Sequence, residues 1–342
     1  MRSVAGIALI LLLATNSAFP VERIPASERV DQLCETSWWA LSPDKEWVFL
    51  TCELGGNGLV DDFSLDTEVF VMPSSGGDSL AIAARDWSPS PRDNVLWYID
   101  DAAMVRRLML PEAIIPDWAD SASSLPALDL SPLEPVRVLG LSISAAAVEV
   151  MNPIGDFEIC SVVVLDDRPS LSDCHKPDAG SSWRGGAPVS AEAFVMEGRL
   201  DTGSYRMEFW KINPLEREWV NELPVDVEPR GIIPSSEDEF LVVGCPGDPE
   251  NRPFLAVFDV SGNMDLVEVA AGDCTLDLLN PCPAVIGGLW EKGGWQVWLE
   301  PGPRPSKMEY LEIDSRGARC FSGEQVPWIR GHHKGGKARS GI

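Results

Sequence analysis

Adjacent carboxylates recur along the chain, at Asp61/Asp62, Asp100/Asp101 and Asp166/Asp167. Pairs of this kind either hold calcium through hard oxygen donors or divide acid and base work between two carboxyl groups. With 53 acidic residues in 342, neighbouring pairs also arise by chance, and no D-x-[DN]-x-[DN]-G loop singles out a calcium site. The plain reading of each pair is a solvated loop. Base catalysis would fall to His175, which stands beside Cys174 in a polar stretch without an evident orienting partner. A nucleophile elbow needs G-x-S-x-G, and the nearest stretch, Gly140-Leu141-Ser142-Ile143-Ser144, lacks the second glycine. Trp118, Trp183 and Trp328 fall in loop-like surroundings and offer flat faces to a carbohydrate or peptide, although large aromatics more often anchor a core or loop. No catalytic set assembles from these residues. Catalytic and metal-binding residues stay unassigned, and calcium is the one cofactor to consider.

The remaining chemistry-bearing residues are eight cysteines. The apolar run Ala5–Ala14 behind Arg2 has the length of a signal-peptide core and is too short to span a bilayer, so residues 1–18 are expected to be removed, with the mature chain starting near Phe19. No cysteine follows that run before Cys34, which argues against a lipid anchor. An exported chain oxidises an even cysteine set. Of the 105 possible pairings, sequence-local pairs suit neighbouring strands, and the expected bridges are Cys34–Cys52, Cys160–Cys174, Cys245–Cys274 and Cys282–Cys320. Zinc is the weaker reading, because no C-x-x-C pair occurs and only His175 lies in the folded body. The expected location is periplasmic or secreted. A net charge of -26 disfavours nucleic acid and anionic lipid as partners. Arg330, His332, His333, Lys334, Lys337 and Arg339 are spaced by glycine in a basic stretch, 323–342, that cannot build a core and reads as a disordered tail.

The elements that must carry these residues repeat. Six times a serine- or glycine-marked turn leads into a short apolar strand: Leu41-Ser42-Pro43-Asp44 into Trp47–Leu50, Trp87-Ser88-Pro89-Ser90 into Val95–Ile99, Leu141-Ser142 into Val148–Met151, Val189-Ser190 into Ala193–Met196, Pro234-Ser235-Ser236 into Phe240–Val243, and Gly287-Gly288 into Trp295–Trp298. Marker serines at 42, 88, 142, 190 and 235 give steps of 46, 54, 48 and 45 residues, the length of a four-stranded blade. A second alternating run follows each, such as Glu68–Met72, Ser161–Leu165 and Met207–Ile212. With 28 prolines and 29 glycines, helix has room for a turn or two only between Pro111 and Ala122. The pattern predicts an all-β chain, a six-bladed β-propeller of four-stranded antiparallel blades, with a lead-in over 19–36 and the propeller over 37–322. A β-sandwich pair is the alternative.

Leu41-Ser42-Pro43-Asp44-Lys45-Glu46-Trp47-Val48-Phe49-Leu50 resembles the serine-proline-aspartate repeat of TolB-type propellers. Glu68–Asp78 followed by Trp87-Ser88-Pro89-Ser90 shows the same order of strand, Gly-Gly turn and Trp-Ser-Pro. The resemblance is clear over about 38–100 and otherwise takes the broader form of a WD-repeat-like six-bladed propeller. It implies a fold and leaves function open, since such repeats serve protein-binding scaffolds, peptidase gates and sugar-processing enzymes alike. Two functions follow. One is an exported scaffold that binds another exported or envelope protein, as a monomer and without membrane insertion. The other is a propeller enzyme of lactonase or glycosidase type using calcium or paired carboxylates on the axis. The expected innermost positions, Ala40-Leu41, Asp86-Trp87, Gly140-Leu141, Gly186-Ala187, Gly231-Ile232 and Val285-Ile286, offer a single axial ligand, Asp86.

Overall fold

The computed structural model describes residues 34–54, 67–73, 79–115, 118–235, 238–246, 254–267, 285–291, 293–299, 309–314 and 317–322. The signal segment, most of the lead-in, the basic tail, Asp61/Asp62, Trp328, Cys274 and Cys282 lie outside the described residues.

Among the described residues the strands form six four-stranded antiparallel sheets, each a meander cut from one contiguous stretch. Blade one holds β1 (Cys34–Leu41), β2 (Trp47–Leu54), β3 (Thr67–Pro73) and β4 (Leu80–Ala83). Blade two holds β5 (Asp86–Pro89), β6 (Val95–Ile99), β7 (Met104–Met109) and β8 (Ser123–Asp129). Blade three holds β9 (Glu134–Ser142), β10 (Ala145–Met151), β11 (Phe157–Leu165) and β12 (Arg168–His175). Blade four holds β13 (Ser181–Pro188), β14 (Ala193–Leu200), β15 (Tyr205–Ile212) and β16 (Leu215–Glu222). Blade five holds β17 (Val227–Pro234), β18 (Glu239–Pro246), β19 (Phe254–Asp259) and β20 (Met264–Leu266). Blade six holds β21 (Val285–Glu291), β22 (Gly294–Leu299), β23 (Glu309–Asp314) and β24 (Gly317–Ser322). The chain is therefore a six-bladed propeller, as its repeat predicts. One short helix, α1 (Trp118–Ser121), falls within the stretch left open to helix.

The first strand of each blade is the innermost. β5 packs on β9, β9 on β13, β13 on β17, β17 on β21, and β21 on β1, which closes the ring. Among the described residues no strand is exchanged between the first and last blades to lock that closure.

Blade stacking explains the residue pattern. Middle strands are covered on both faces by neighbouring blades, so they read as unbroken apolar runs; Trp47–Leu50 and Val95–Ile99 are buried throughout. Outer strands face water on one side and alternate, as in β4 and β16. Each core belongs to two blades. Trp47, Phe49, Val69 and Val71 of blade one pack with Leu96, Tyr98 and Leu108 of blade two, and similar cores join blades two to three, three to four, four to five and five to six.

The marked turns add polar ties. Ser42 Oγ accepts the Trp47 N–H at 3.0 Å, and Asp44 caps the Glu46 N–H at 2.9 Å while Lys45 adopts φ 63. The other oxygen of Asp44 accepts from Asn94 of the next blade at 2.6 Å. Blade two repeats this with Ser90, which caps Arg92 and Asp93, while Asp93 accepts the Ile143 N–H of blade three at 2.7 Å. Two sequence markers are thereby corrected. The turn serine of blade two is Ser90, because Ser88 pairs with Trp97 inside the sheet. Gly287-Gly288 belongs to β21, and the turn before β22 contains Gly293 instead.

Gly140 shows how closely the blades approach. A Cβ at this position would lie 2.6 Å from Trp97 Cδ1 and 2.7 Å from the Ser88 carbonyl oxygen, both in blade two. Trp97 cannot swing away without losing its 2.8 Å hydrogen bond to the Ser142 carbonyl. Gly140→Ala should therefore lower stability by about 1–3 kcal/mol through overpacking. Urea denaturation checks this, and an unchanged midpoint would count against so tight a seam.

A candidate binding mouth on the propeller channel

Innermost strands all run the same way, so their first residues gather on one face, here called the inlet. Five of the six carry a register slip near that end, between Thr36/Trp38, Pro135/Arg137, Trp183/Gly185, Pro229/Gly231 and Val285/Gly287. Each slip leaves one inner residue unopposed: Ser37, Val136, Arg184, Arg230 and Ile286. A bulge of this kind re-aims the side chain it carries, and Val136, Arg184 and Arg230 are all exposed.

Charged groups line the inlet from blade two to blade five. Asp86, at the start of β5, accepts the Val138 N–H of β9 at 2.7 Å. Arg137 crosses to Glu149 of β10 at 2.5 Å and donates to the Arg184 carbonyl of β13 at 2.8 Å. Arg230 and Glu228 of β17 pair at 3.1 Å. Glu197 of β14 stands opposite Gly185, and a Cβ on that glycine would come within 3.1 Å of its carboxylate. The missing side chain leaves Glu197 room at the channel wall. Glu197 takes no hydrogen bond from a described residue; the charges of Arg137, Glu228, Arg184 and Arg230 act on it instead.

Burial governs the protonation of these acids. It pushes Asp86 up to about 7, against the Val138 N–H and the Arg137 charge, which favour the ionised form. It also pushes Glu197 to about 7, with Arg137 opposing and Glu228 adding to the rise. Glu149 is raised by burial and drawn back by Arg137. The inlet thus combines two carboxyl groups that titrate near neutrality with the guanidinium groups of Arg137, Arg184 and Arg230. Because acids alternate with arginines there, this donor set does not fit a divalent cation.

A second polar cluster ties blade four to the segment that joins it to blade three. Glu208 is fully buried and accepts from Arg206 Nε at 2.7 Å, Trp210 Nε1 at 3.2 Å and Trp183 Nε1 at 3.3 Å. Asp178, on the segment joining the two blades, binds Arg206 at 2.9 Å and Arg217 at 2.8 Å. Every donor points inward to an acceptor, so the cluster is a fastening.

The residues singled out from sequence are scattered by the fold. Trp118 and Trp183 are buried, Trp118 edge-on against Trp47 at 4.7 Å, which makes both anchors rather than ligand platforms. His175 is exposed on β12, edge-on to Trp210 at 5.5 Å. Asp100 caps the Met104 N–H and pairs with Arg106, and Asp101 is exposed in the same turn. Asp166 and Asp167 form the β11–β12 turn with φ 51 and 60, and Asp167 faces Arg107 at 3.5 Å. Ser142 is committed to Ser144 at the turn after β9. Cys160 and Cys174 form a disulfide, and Cys245 is disulfide-bonded. Along the backbone Cys34 stands opposite Leu54, Cys52 opposite Thr36, and Cys320 opposite Leu311. In blades three, four and five the expected innermost positions, Gly140-Leu141, Gly186-Ala187 and Gly231-Ile232, lie beyond the bulges that carry Val136, Arg184 and Arg230.

Fold and site define a six-bladed WD-repeat-like β-propeller with a charged inlet. No protein-family model and no curated protein sequence matches the chain. Among solved structures it is similar to hydrazine synthase from Kuenenia stuttgartiensis at 10% identity, over 83% of this chain and 78% of that one, with a TM-score of 0.54. It is similar to U3-55K at 12% identity, over 85% and 81%, TM-score 0.51, and to the WD40 repeats of RRP9 at 12%, over 85% and 80%, TM-score 0.51. At such identities the likeness is one of fold.

Proposed function

We propose that the chain is an exported TolB-like propeller that binds another exported or envelope protein at its inlet. The arc of alternating charge from Asp86 to Arg230 carries this reading, because it presents exposed guanidinium groups and a Glu197 carboxyl group without a hydrogen bond from a described residue on a rigid ring. Mixed charge specifies a partner and its register better than it supplies raw affinity. The net charge of -26 turns away nucleic acid and anionic lipid, and the run Ala5–Ala14 supports export to the periplasm or beyond. No helix of the described residues is long and apolar enough to cross a membrane. Crosslinked affinity purification from periplasm or culture fluid should recover one stoichiometric protein with a monomeric propeller, and the charge reversal R184E/R230E should lose it. Recovery of nothing, or equal recovery by the variant, counts against the reading.

Asp86 and Glu197 favour a second reading, a carboxylate-dependent hydrolase of lactonase or glycosidase type. Groups titrating near neutrality can serve as acid and base at physiological pH. A screen of lactones and glycosides with wild type, Asp86→Asn and Glu197→Gln decides it. Turnover abolished by either substitution would support the hydrolase, and turnover absent or unaffected would exclude it.

A further inference from the structure

Glu158, Cys160 and Cys174 place a carboxylate oxygen and two sulfurs within 4.8 Å of one another, on the two outermost strands of blade three at its inlet end. The topology makes this trio. Glu158 and Cys160 are two apart on β11 and so share a face, and the register sets Cys174 of β12 directly opposite Cys160. Glu158 is held in place by Asn152 at 3.0 Å and Lys176 at 3.7 Å. Cys160 is buried against the core between blades two and three, whereas Cys174 lies on an exposed edge strand that a small reductant can reach.

We propose that this edge is a zinc site opened by reduction of the Cys160–Cys174 disulfide. In the oxidised protein the two sulfurs are bonded to each other and offer no thiolate. A dithiol reductant delivers two electrons and two protons, the S–S bond breaks to two thiols, and the reductant closes its own disulfide. Zn(II) then displaces both thiol protons and takes Cys160 Sγ, Cys174 Sγ and a Glu158 oxygen, with water in the fourth tetrahedral position. Two thiolates on one zinc stand roughly 3.8 Å apart, from Zn–S bonds of about 2.3 Å. The facing Cα atoms are 4.1 Å apart, so side-chain rotation suffices and the strands need not separate. Pairing on both sides of the cysteines, Ile159 with His175 and Val162 with Leu171, keeps them opposed once the bond is gone. Lys176 gives up Glu158 but keeps Asp156, its nearer partner at 2.9 Å.

Zinc retention by the full chain tests the site. Protein is reduced with dithiothreitol, desalted under nitrogen, and titrated with Zn(II) against a chromophoric chelator. Reduced wild type should hold one zinc more than reduced C160S/C174S, and oxidised wild type should hold none at these residues. Glu158→Gln, which leaves the disulfide intact and so keeps the fold, should weaken that one site by about tenfold or more once reduced. Equal zinc in reduced wild type and C160S/C174S, or an affinity unmoved by Glu158→Gln, overturns the proposal. Cobalt(II) in place of zinc should show tetrahedral thiolate bands in reduced wild type only, and their presence in C160S/C174S would assign the metal to other cysteines.

Discussion

Glu208→Ala should lower the stability of the propeller by about 3–5 kcal/mol, the cost of breaking a buried ion pair from one side. The carboxylate is completely buried and meets one guanidinium and two indole N–H groups within 3.3 Å. Arg217 adds a longer contact at 3.5 Å. Without Glu208, Arg206 retains only Asp178, a half-exposed carboxylate, and the Ser181 hydroxyl, and it does so at a site 9% exposed. Trp183 and Trp210 lose the acceptor for their ring N–H groups, each of which costs about 1–3 kcal/mol when left buried and unpaired. Glu208→Gln keeps the volume but turns a donor toward donors, so it should fall between wild type and alanine. Asp178→Asn should cost least, because water reaches that carboxylate. Urea unfolding of the three variants orders them. A Glu208→Ala loss below about 1 kcal/mol would mean that the network does not fasten blade four to the joining segment.

The second large effect depends on pH. Asp86 titrates at about 7 in the folded chain against an ordinary 3.8, so between those values the folded state holds a proton that the unfolded state has released. Stability contributed by this group is therefore greatest near pH 4, declines as pH rises toward 7, and becomes a full penalty above it. Asp86→Asn removes the titration while leaving an amide oxygen for the Val138 N–H. The variant should match wild type near pH 4 and exceed it by on the order of 2 kcal/mol at pH 8, allowing for water at the partly exposed edge of the residue. Glu197→Gln should show the same trend with a smaller gain, because its oxygens face the channel. The difference between variant and wild type is the quantity to follow, since self-repulsion of a highly acidic chain also varies with pH. Parallel stability curves from pH 4 to pH 8 would contradict the burial of Asp86.

Blade architecture was legible in the chain because stacking covers the middle strands on both faces. Trp47-Val48-Phe49-Leu50 and Val95-Leu96-Trp97-Tyr98-Ile99 carry that requirement openly as solid apolar runs. Turn chemistry was less exact, since Ser88 and Ser90 flank one proline and only the hydrogen bonds of Ser90 identify it as the cap. The inlet stayed hidden for a geometric reason. A single bulged residue shifts the inner face by one position, so Arg184 and Arg230 cannot be assigned to the channel from strand alternation. One signal was present. Glu149, Glu197 and Glu208 are lone acids set among apolar residues of middle strands, where an unpaired charge would be too costly to bury. Each of them has an arginine acting on it in the structure. The Cys160–Cys174 bridge was legible as a sequence-local pair, whereas Glu158 joins the two sulfurs only through the register of β11 against β12.

The proposed partner engages the inlet of the channel. A photocrosslinking amino acid placed at Val136, an exposed bulge residue on the inlet, and separately at Leu165, exposed on the opposite face, tests it most directly. Illumination in cells should trap one protein from the Val136 position and none from Leu165. Trapping at Leu165 but not at Val136, with both proteins folded, would contradict it.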